Sequence, residues 1–224
     1  VGFHARHSQA RPLDRVTGDI ASRLSHARGR RDEEPNVQLA VELAGSKDVD
    51  GIARVADIAI TGSRQAQQDA IKVLYEIGAR DAELLRPHAQ CILQLIDSRN
   101  NRMVWGALTA FAQLARVDAT AIANNLDAIL AAADAGSVIA RDQAVQILIE
   151  LKARPDLAGT ATAHLLARLK SAAVNQLPMY AERIHAALEA QDYPDFREVL
   201  TIRLADDMPM SKRRRIEKIV KKME

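Results

Sequence analysis

The amino-acid sequence predicts an all-α protein made of stacked helical hairpins, and three observations predict it. The hydrophobic fraction is 48% while aromatic residues make up only 3%. Ala, Leu and Ile therefore carry the core, which suits closely packed helices better than strands, where β-branched and aromatic residues are favoured. Four segments of 37 residues, 44–80, 81–117, 118–154 and 155–191, align without a gap. Within each, apolar residues recur at the spacing of one helix face.

The elements follow in chain order. Residues 1–34 read as a basic N-terminal extension, in which Leu13, Val16, Ile20 and Leu24 have the spacing of a short amphipathic helix. The stretch "ARGRRDEEP", 27–35, reads as a linker into a repeat domain over 35–224. Helices are expected near 36–45, 49–61, 63–78, 82–97, 101–116, 119–134, 138–153, 157–171, 176–190, 194–206 and 211–222. The second helix of each repeat carries four apolar columns. They are Ala66, Met103, Ala140 and Leu177; Ala70, Ala107, Ala144 and Ala181; Val73, Ala110, Ile147 and Ile184; and Ile77, Leu114, Leu151 and Leu188. These offsets trace one helix face, and the all-alanine column marks where two helices approach closely. The first helices share the column Val55, Ile92, Ile129 and Leu166 and open near Asp81, Asp118 and Asp156, residues able to cap a helix. Ser63 is placed to cap the helix after "ITGSRQ". Residues 192–224 read as a capping hairpin, whose last helix puts Ile216, Ile219, Val220 and Met223 on one face.

The 37-residue hairpin, the capping Asp, Pro87 inside a first helix and the second-helix pattern "VIARDQAVQIL" together resemble HEAT repeats. The resemblance covers roughly 44–191 and, more loosely, 192–224. The Arg or Lys usual early in the second helix is matched only by Arg141 and, loosely, Arg102. The resemblance implies a right-handed α-α superhelix of four to five hairpins, a HEAT-like or armadillo-type solenoid. It also implies that second helices line a concave surface used to bind other macromolecules.

Charge is unevenly distributed. Residues 1–31 hold seven Arg against two Asp, residues 211–224 hold seven Lys and Arg against two Glu, and 32–210 hold 17 basic against 25 acidic residues. An acidic body thus lies between two basic ends. The single cysteine, Cys91, allows no intrachain disulfide. No apolar run is long enough to span a membrane and no signal peptide is evident, so a cytoplasmic protein is expected.

The chain's single tryptophan raises the functional question. Taking the alanine column as the core direction, Trp105 lies two residues before Ala107, about 180° from the centre of the apolar face. Its column, Gln68, Trp105, Asp142 and Met179, is half polar. On the inner wall implied by the resemblance it would be flanked by Thr109, Ala112 and Arg116, with Lys72 and Tyr75 in the preceding repeat and Gln146 and Ile149 in the following one. Tyr75, Trp105 and Ile149 would then form an apolar strip, the kind of exposed aromatic cluster that anchors interfaces. The alternative is that Trp105 folds sideways over its own neighbours. Asn100 and Asn101 read as a turn and cap, with a functional polar rim that includes Arg102 as the alternative. Gly106 reads as a point of close approach by a neighbour or ligand.

No catalytic or metal motif is present. None of the six histidines forms an H-x-x-x-H pair, Cys91 reads as a small buried hydrophobe, and His185 reads as a packed core-edge histidine. No cofactor is expected. The reading is a non-catalytic binding or scaffold module for another protein. Its alternatives are nucleic-acid binding through the basic ends, with Lys212, Arg213, Arg214, Arg215 and Lys218 as the C-terminal face, and a HEAT-like DNA glycosylase with Trp105 and Asp142 in one column. The acidic body argues against a phosphate-binding groove.

Overall fold

A computed structural model describes residues 20–223. Among them there is no strand. The chain divides into two compact units between Ala110 and Phe111, inside helix Asn101–Leu114.

In the first unit, helix Val49–Thr61 packs on Arg64–Arg80 as a hairpin, and Glu34–Ser46 packs on Arg64–Arg80. The caps are made as the residue types predict. Asp48 accepts from the Gly51 N–H, Ser63 from Ala66 and Asp81 from Glu83. The helix expected at 82–97 is broken into a 3-10 turn, Ala82–His88, helix Ala89–Gln94 and a second 3-10 turn, Leu95–Asp97. Pro87 lies in the first of these and has no N–H to continue an α-helical ladder. Asn100 caps the next helix by accepting from the Arg102 N–H at 3.1 Å.

In the second unit the pattern recurs. Val138–Lys152 packs on Ala158–Ser171 and on Leu177–Ala187, and Leu177–Ala187 packs on Met210–Lys221. Tyr193–Arg203 packs on Ala158–Ser171. Second helices thus stack on second helices, first on first, and the last helix docks as a further second helix, with Ile216 and Ile219 buried. The helix expected at 119–134 is split into Ala119–Ala123 and Leu126–Ala135, and the Asn125 amide donates to the Ala121 carbonyl at 2.9 Å between them.

All sixteen second-helix column residues are buried, and the four alanines are 0% exposed. Three expectations need correction. Asp156 does not cap its helix; it accepts both hydrogen bonds of the Arg154 guanidinium, and Leu157 holds the cap position. In that helix Leu165 and Leu169 are buried and Leu166 is only partly so. The two preceding first helices are broken by tighter turns, whereas this one is continuous, so a gapless alignment loses phase by one residue. Ala112, expected on the wall beside Trp105, is buried.

Gly106 is a point of close approach. A Cβ built there would lie 2.6 Å from Cγ1 of Ile71, itself 0% exposed. Gly106→Ala should therefore destabilise by about 1–3 kcal/mol through overpacking, although alanine gains about 1 kcal/mol of helix propensity. Urea unfolding checks this, and a stabilised variant would show that Ile71 yields and the close approach is dispensable.

Candidate functional surface

Trp105 is half-buried, and it reaches neither the core nor open solvent. Its ring lies against Tyr75, with centroids 5.8 Å apart and planes tilted by 46°, a favourable aromatic geometry. Two cations flank the pair. Lys72 Nζ lies 4.8 Å from the centre of the Tyr75 ring, and the Arg102 guanidinium lies 6.0 Å from that of Trp105. The register places all four on helices Arg64–Arg80 and Asn101–Leu114, facing away from the alanine column. Thr109 spends its hydroxyl on the Trp105 carbonyl, at 2.8 Å.

Acidic residues lock the cations in place. Lys72 donates to Glu76 at 2.8 Å and pairs with Glu33 at 3.4 Å, while Arg80 holds the other oxygen of Glu76 at 2.7 Å. Arg102 donates to the second oxygen of Glu33. Burial works against the Lys72 ammonium, but Glu76, aided by Tyr75, outweighs it and raises its pKa above the ordinary value. Burial likewise raises the Tyr75 phenol.

Beside this surface lies a polar network that the sequence pattern did not reveal. Asn36, 0% exposed, accepts from the Ser25 N–H and donates to Asp69. The other oxygen of Asp69 accepts from the backbone N–H of His26 and lies 2.8 Å from its ring Nδ1. The stretch around residues 24–30, within and before the expected linker, is a hydrogen-bonded turn, with Gly29 at φ 65°. Of the expected N-terminal amphipathic residues, Ile20 and Leu24 are buried; Leu13 and Val16 lie outside the described residues.

The second unit carries the remaining candidates. Ile149 is partly buried and lines a groove of about 470 Å³ with Glu150, Pro155 and Glu189. Gln146 donates to Glu150 and accepts from Arg183, and Arg116 is exposed and donates to Glu150 at 3.1 Å. Asp142, the residue that shares a column with Trp105, accepts from the Tyr180 hydroxyl at 2.7 Å. Burial and this bond raise the Tyr180 pKa. Lys152 is buried beside the groove and paired with Asp192 at 2.7 Å. Cys91 is half-buried rather than fully buried; its thiol lies 3.3 Å from the Ala56 carbonyl, and desolvation raises its pKa. His185 packs against Tyr193, with ring centroids 5.7 Å apart, and Phe196.

The C-terminal basic residues are mostly engaged. Arg213 donates to the Leu204 and Asp206 carbonyls, Arg215 forms a two-bond pair with Glu182, and Lys212 donates to Asn175. Arg214 and Lys218 are exposed. Among the described residues no helix is long and apolar enough to cross a membrane, and no group of three or more His, Cys, Asp or Glu could hold a metal ion.

Solved structures place this architecture. An engineered protein from a structural genomics consortium matches with a TM-score of 0.61 at 14% identity, over 96% of this chain and 98% of that one. A designed armadillo repeat protein matches with a TM-score of 0.57 at 13% identity, over 98% and 96% of the two chains. Another, solved in complex with the peptide (KR)4, matches with a TM-score of 0.60 at 13% identity, over 94% and 91%. The fold is a helical-repeat solenoid. No protein-family model matches the chain, and no curated protein matches its sequence.

Two predictions follow from the ion pairs of the second unit and its C-terminal helix. Burial opposes ionisation of Asp192, but Lys152 and the Glu189 N–H outweigh it and hold the carboxyl below its ordinary 3.8. A depressed folded pKa gives stability that is present above the unfolded value and lost as pH falls through the folded one. Asp192→Asn should cost about 3–5 kcal/mol at neutral pH by leaving a buried ammonium unpaired, and the variant should lose less stability than the parent on acidification. Unfolding midpoints across an acid titration measure both effects. Arg213→Gln should cost about 1–2 kcal/mol, because two carbonyls lose a charged donor, whereas Arg214→Gln should stay within about 0.5 kcal/mol of the parent. Equal melting temperatures for the two would remove the structural role of Arg213.

Proposed function

We propose that the chain is a non-catalytic module that binds a partner polypeptide through the surface centred on Tyr75 and Trp105. One observation carries the reading: an aromatic pair stands on the side of its helices away from the core, half-buried and flanked by Lys72 and Arg102. Aromatic and Arg side chains clustered in this way are the residue types that anchor interfaces, because they bury much area and retain polar handles. The likeness to a designed armadillo repeat protein solved with a bound peptide supports the same use of the fold. Thr109 is proposed as a further contact of this surface, and Gln146, Ile149 and Arg116 as contacts that the second unit offers in its own right. The engagement of Lys212, Arg213 and Arg215 within the protein reduces what the C-terminal helix can offer to phosphates.

Trp105→Ala tests the proposal. Truncation removes the contacts with Tyr75 and Arg102 but no buried core contact of the alanine column. Its stability cost should fall well below the roughly 3–5 kcal/mol of a core aromatic. The same change should weaken capture of a partner recovered by affinity purification by about 2 kcal/mol or more. Undiminished capture by the folded variant would move the binding surface elsewhere.

A further inference from the structure

Glu33 occupies an unusual place on this surface. It holds the N-cap position of helix Glu34–Ser46 without capping it by its side chain. Its carboxylate instead reaches across to two cations on other helices. One oxygen accepts from Arg102 and the other pairs with Lys72, and these are the two residues that flank Trp105 and Tyr75. The fit is incomplete. Arg102 uses only one terminal nitrogen on Glu33, and its Nε is buried with no hydrogen-bond partner. A guanidinium binds a carboxylate best through two parallel N–H donors, and a buried donor left unmade is costly. The contact to Lys72 is also long, at 3.4 Å, beside the 2.8 Å bond that Lys72 makes to Glu76. Glu33 therefore straddles the two cations with one oxygen each and serves neither fully.

Glu33 can leave at low cost. Its side chain is 38% exposed, and Lys72 keeps Glu76 when Glu33 departs. The turn before it does not have to unfold, since Ser25 and His26 are fastened to Asn36 and Asp69 independently of Glu33.

We propose that Lys72 and Arg102 form a receptor for a carboxylate of an acidic polypeptide, and that Glu33 fills it in the free protein as an intramolecular stand-in. A partner Asp or Glu enters beside the aromatic pair, displaces Glu33 and pairs with Lys72 and the terminal nitrogens of Arg102. The partner's neighbouring residue then lies against Trp105 and Tyr75. This inference rests on the reading of the Tyr75–Trp105 surface as the binding surface and adds the charge of its occupant. It also gives the surface a threshold, because every ligand competes with a tethered carboxylate.

The test uses the chain's single tryptophan as reporter. Two eight-residue peptides, one alternating Asp and Glu and the other alternating Lys and Arg, are titrated against the full chain at low and moderate salt while Trp105 fluorescence is followed. The acidic peptide should bind and the basic one should not. Glu33→Gln should tighten the acidic peptide by about three- to five-fold, the upper scale of partly exposed ion pairs. Arg102→Gln should weaken it by about ten-fold or more. Circular dichroism melts establish that each variant is folded. Should Arg102→Gln not fold, the gain in Glu33→Gln decides alone. Preferred binding of the basic peptide at Trp105 would overturn the acidic assignment while leaving the binding surface in place. No response to either peptide, or an unchanged affinity in Glu33→Gln, would overturn the stand-in role. The binding surface itself falls only if Trp105→Ala fails to weaken capture of a partner.

Discussion

The second helix of each 37-residue repeat carries, at the middle of its buried face, a side chain no larger than a methyl group. Ala70, Ala107, Ala144 and Ala181 are all fully excluded from solvent. Close packing leaves no room for a larger group there without pushing a helix off its neighbour. Gly106 takes the requirement one step further, since even a methyl group would meet Ile71. Once this column is fixed, helix geometry fixes every other position. The residues two before the alanines, Gln68, Trp105, Asp142 and Met179, are all partly exposed, and the only tryptophan of the chain is therefore available on the surface.

The same constraint explains what could be read from the sequence. The second helices run unbroken through their apolar faces, Leu188 alone lying just past the end of its helix, so a period of 3.6 residues stays in phase and every column residue is buried. First helices contain tighter turns at Pro87 and Leu95 and an interruption at Asn124 and Asn125, so a gapless alignment mistook Leu166 for its neighbour Leu165. Long-range polar pairs were not legible at all. Asn36 meets Asp69 across 33 residues and His26 meets Asp69 across 43. No local pattern marks such partners. The one available signal was that Asp69 stands in the column of Gly106, next to the alanine column, where an acidic residue needs an internal partner. The candidate surface was half legible. Helical angle placed Trp105 and Tyr75 away from the core, but only the structure shows that they touch and that Glu33 bridges their cations.

Counting charges proved a poor guide to what the charges do. Seven basic residues crowd into the last fourteen positions, which suggests a surface for phosphates. Several of them act as internal struts instead. Arg213 gathers carbonyls at the end of the preceding helix, as Arg203 gathers those of Leu169, Lys170 and Ala172. Helix C-termini leave carbonyls unsatisfied, and a guanidinium can satisfy two or three at once. In a stack of short helices such ends recur with every repeat, so arginine is used to close the fold before it is available for partners.

Glu33 shows how the two roles meet in one place. The aromatic pair needs cover, because half-buried rings in water forfeit part of their hydrophobic gain. It must also stay accessible if it is to bind. Cations over the ring faces meet both demands, and acids hold those cations in place: Glu76 from the same helix, Glu33 from another. Glu76 lies four residues from Lys72 on one helix turn, so it stays in reach whatever happens elsewhere. Glu33 is delivered by a turn that Asn36 and Asp69 fasten through backbone N–H groups. The turn holds its position whether or not the Glu33 side chain does. Exchanging the tethered carboxylate for a partner's therefore requires a side-chain rotation and no unfolding, and it gives up the part-buried pairing of Glu33 with Arg102 and its longer contact with Lys72. A surface covered in this way can remain closed to weak ligands while presenting its aromatic anchor to a carboxylate that pairs better than Glu33.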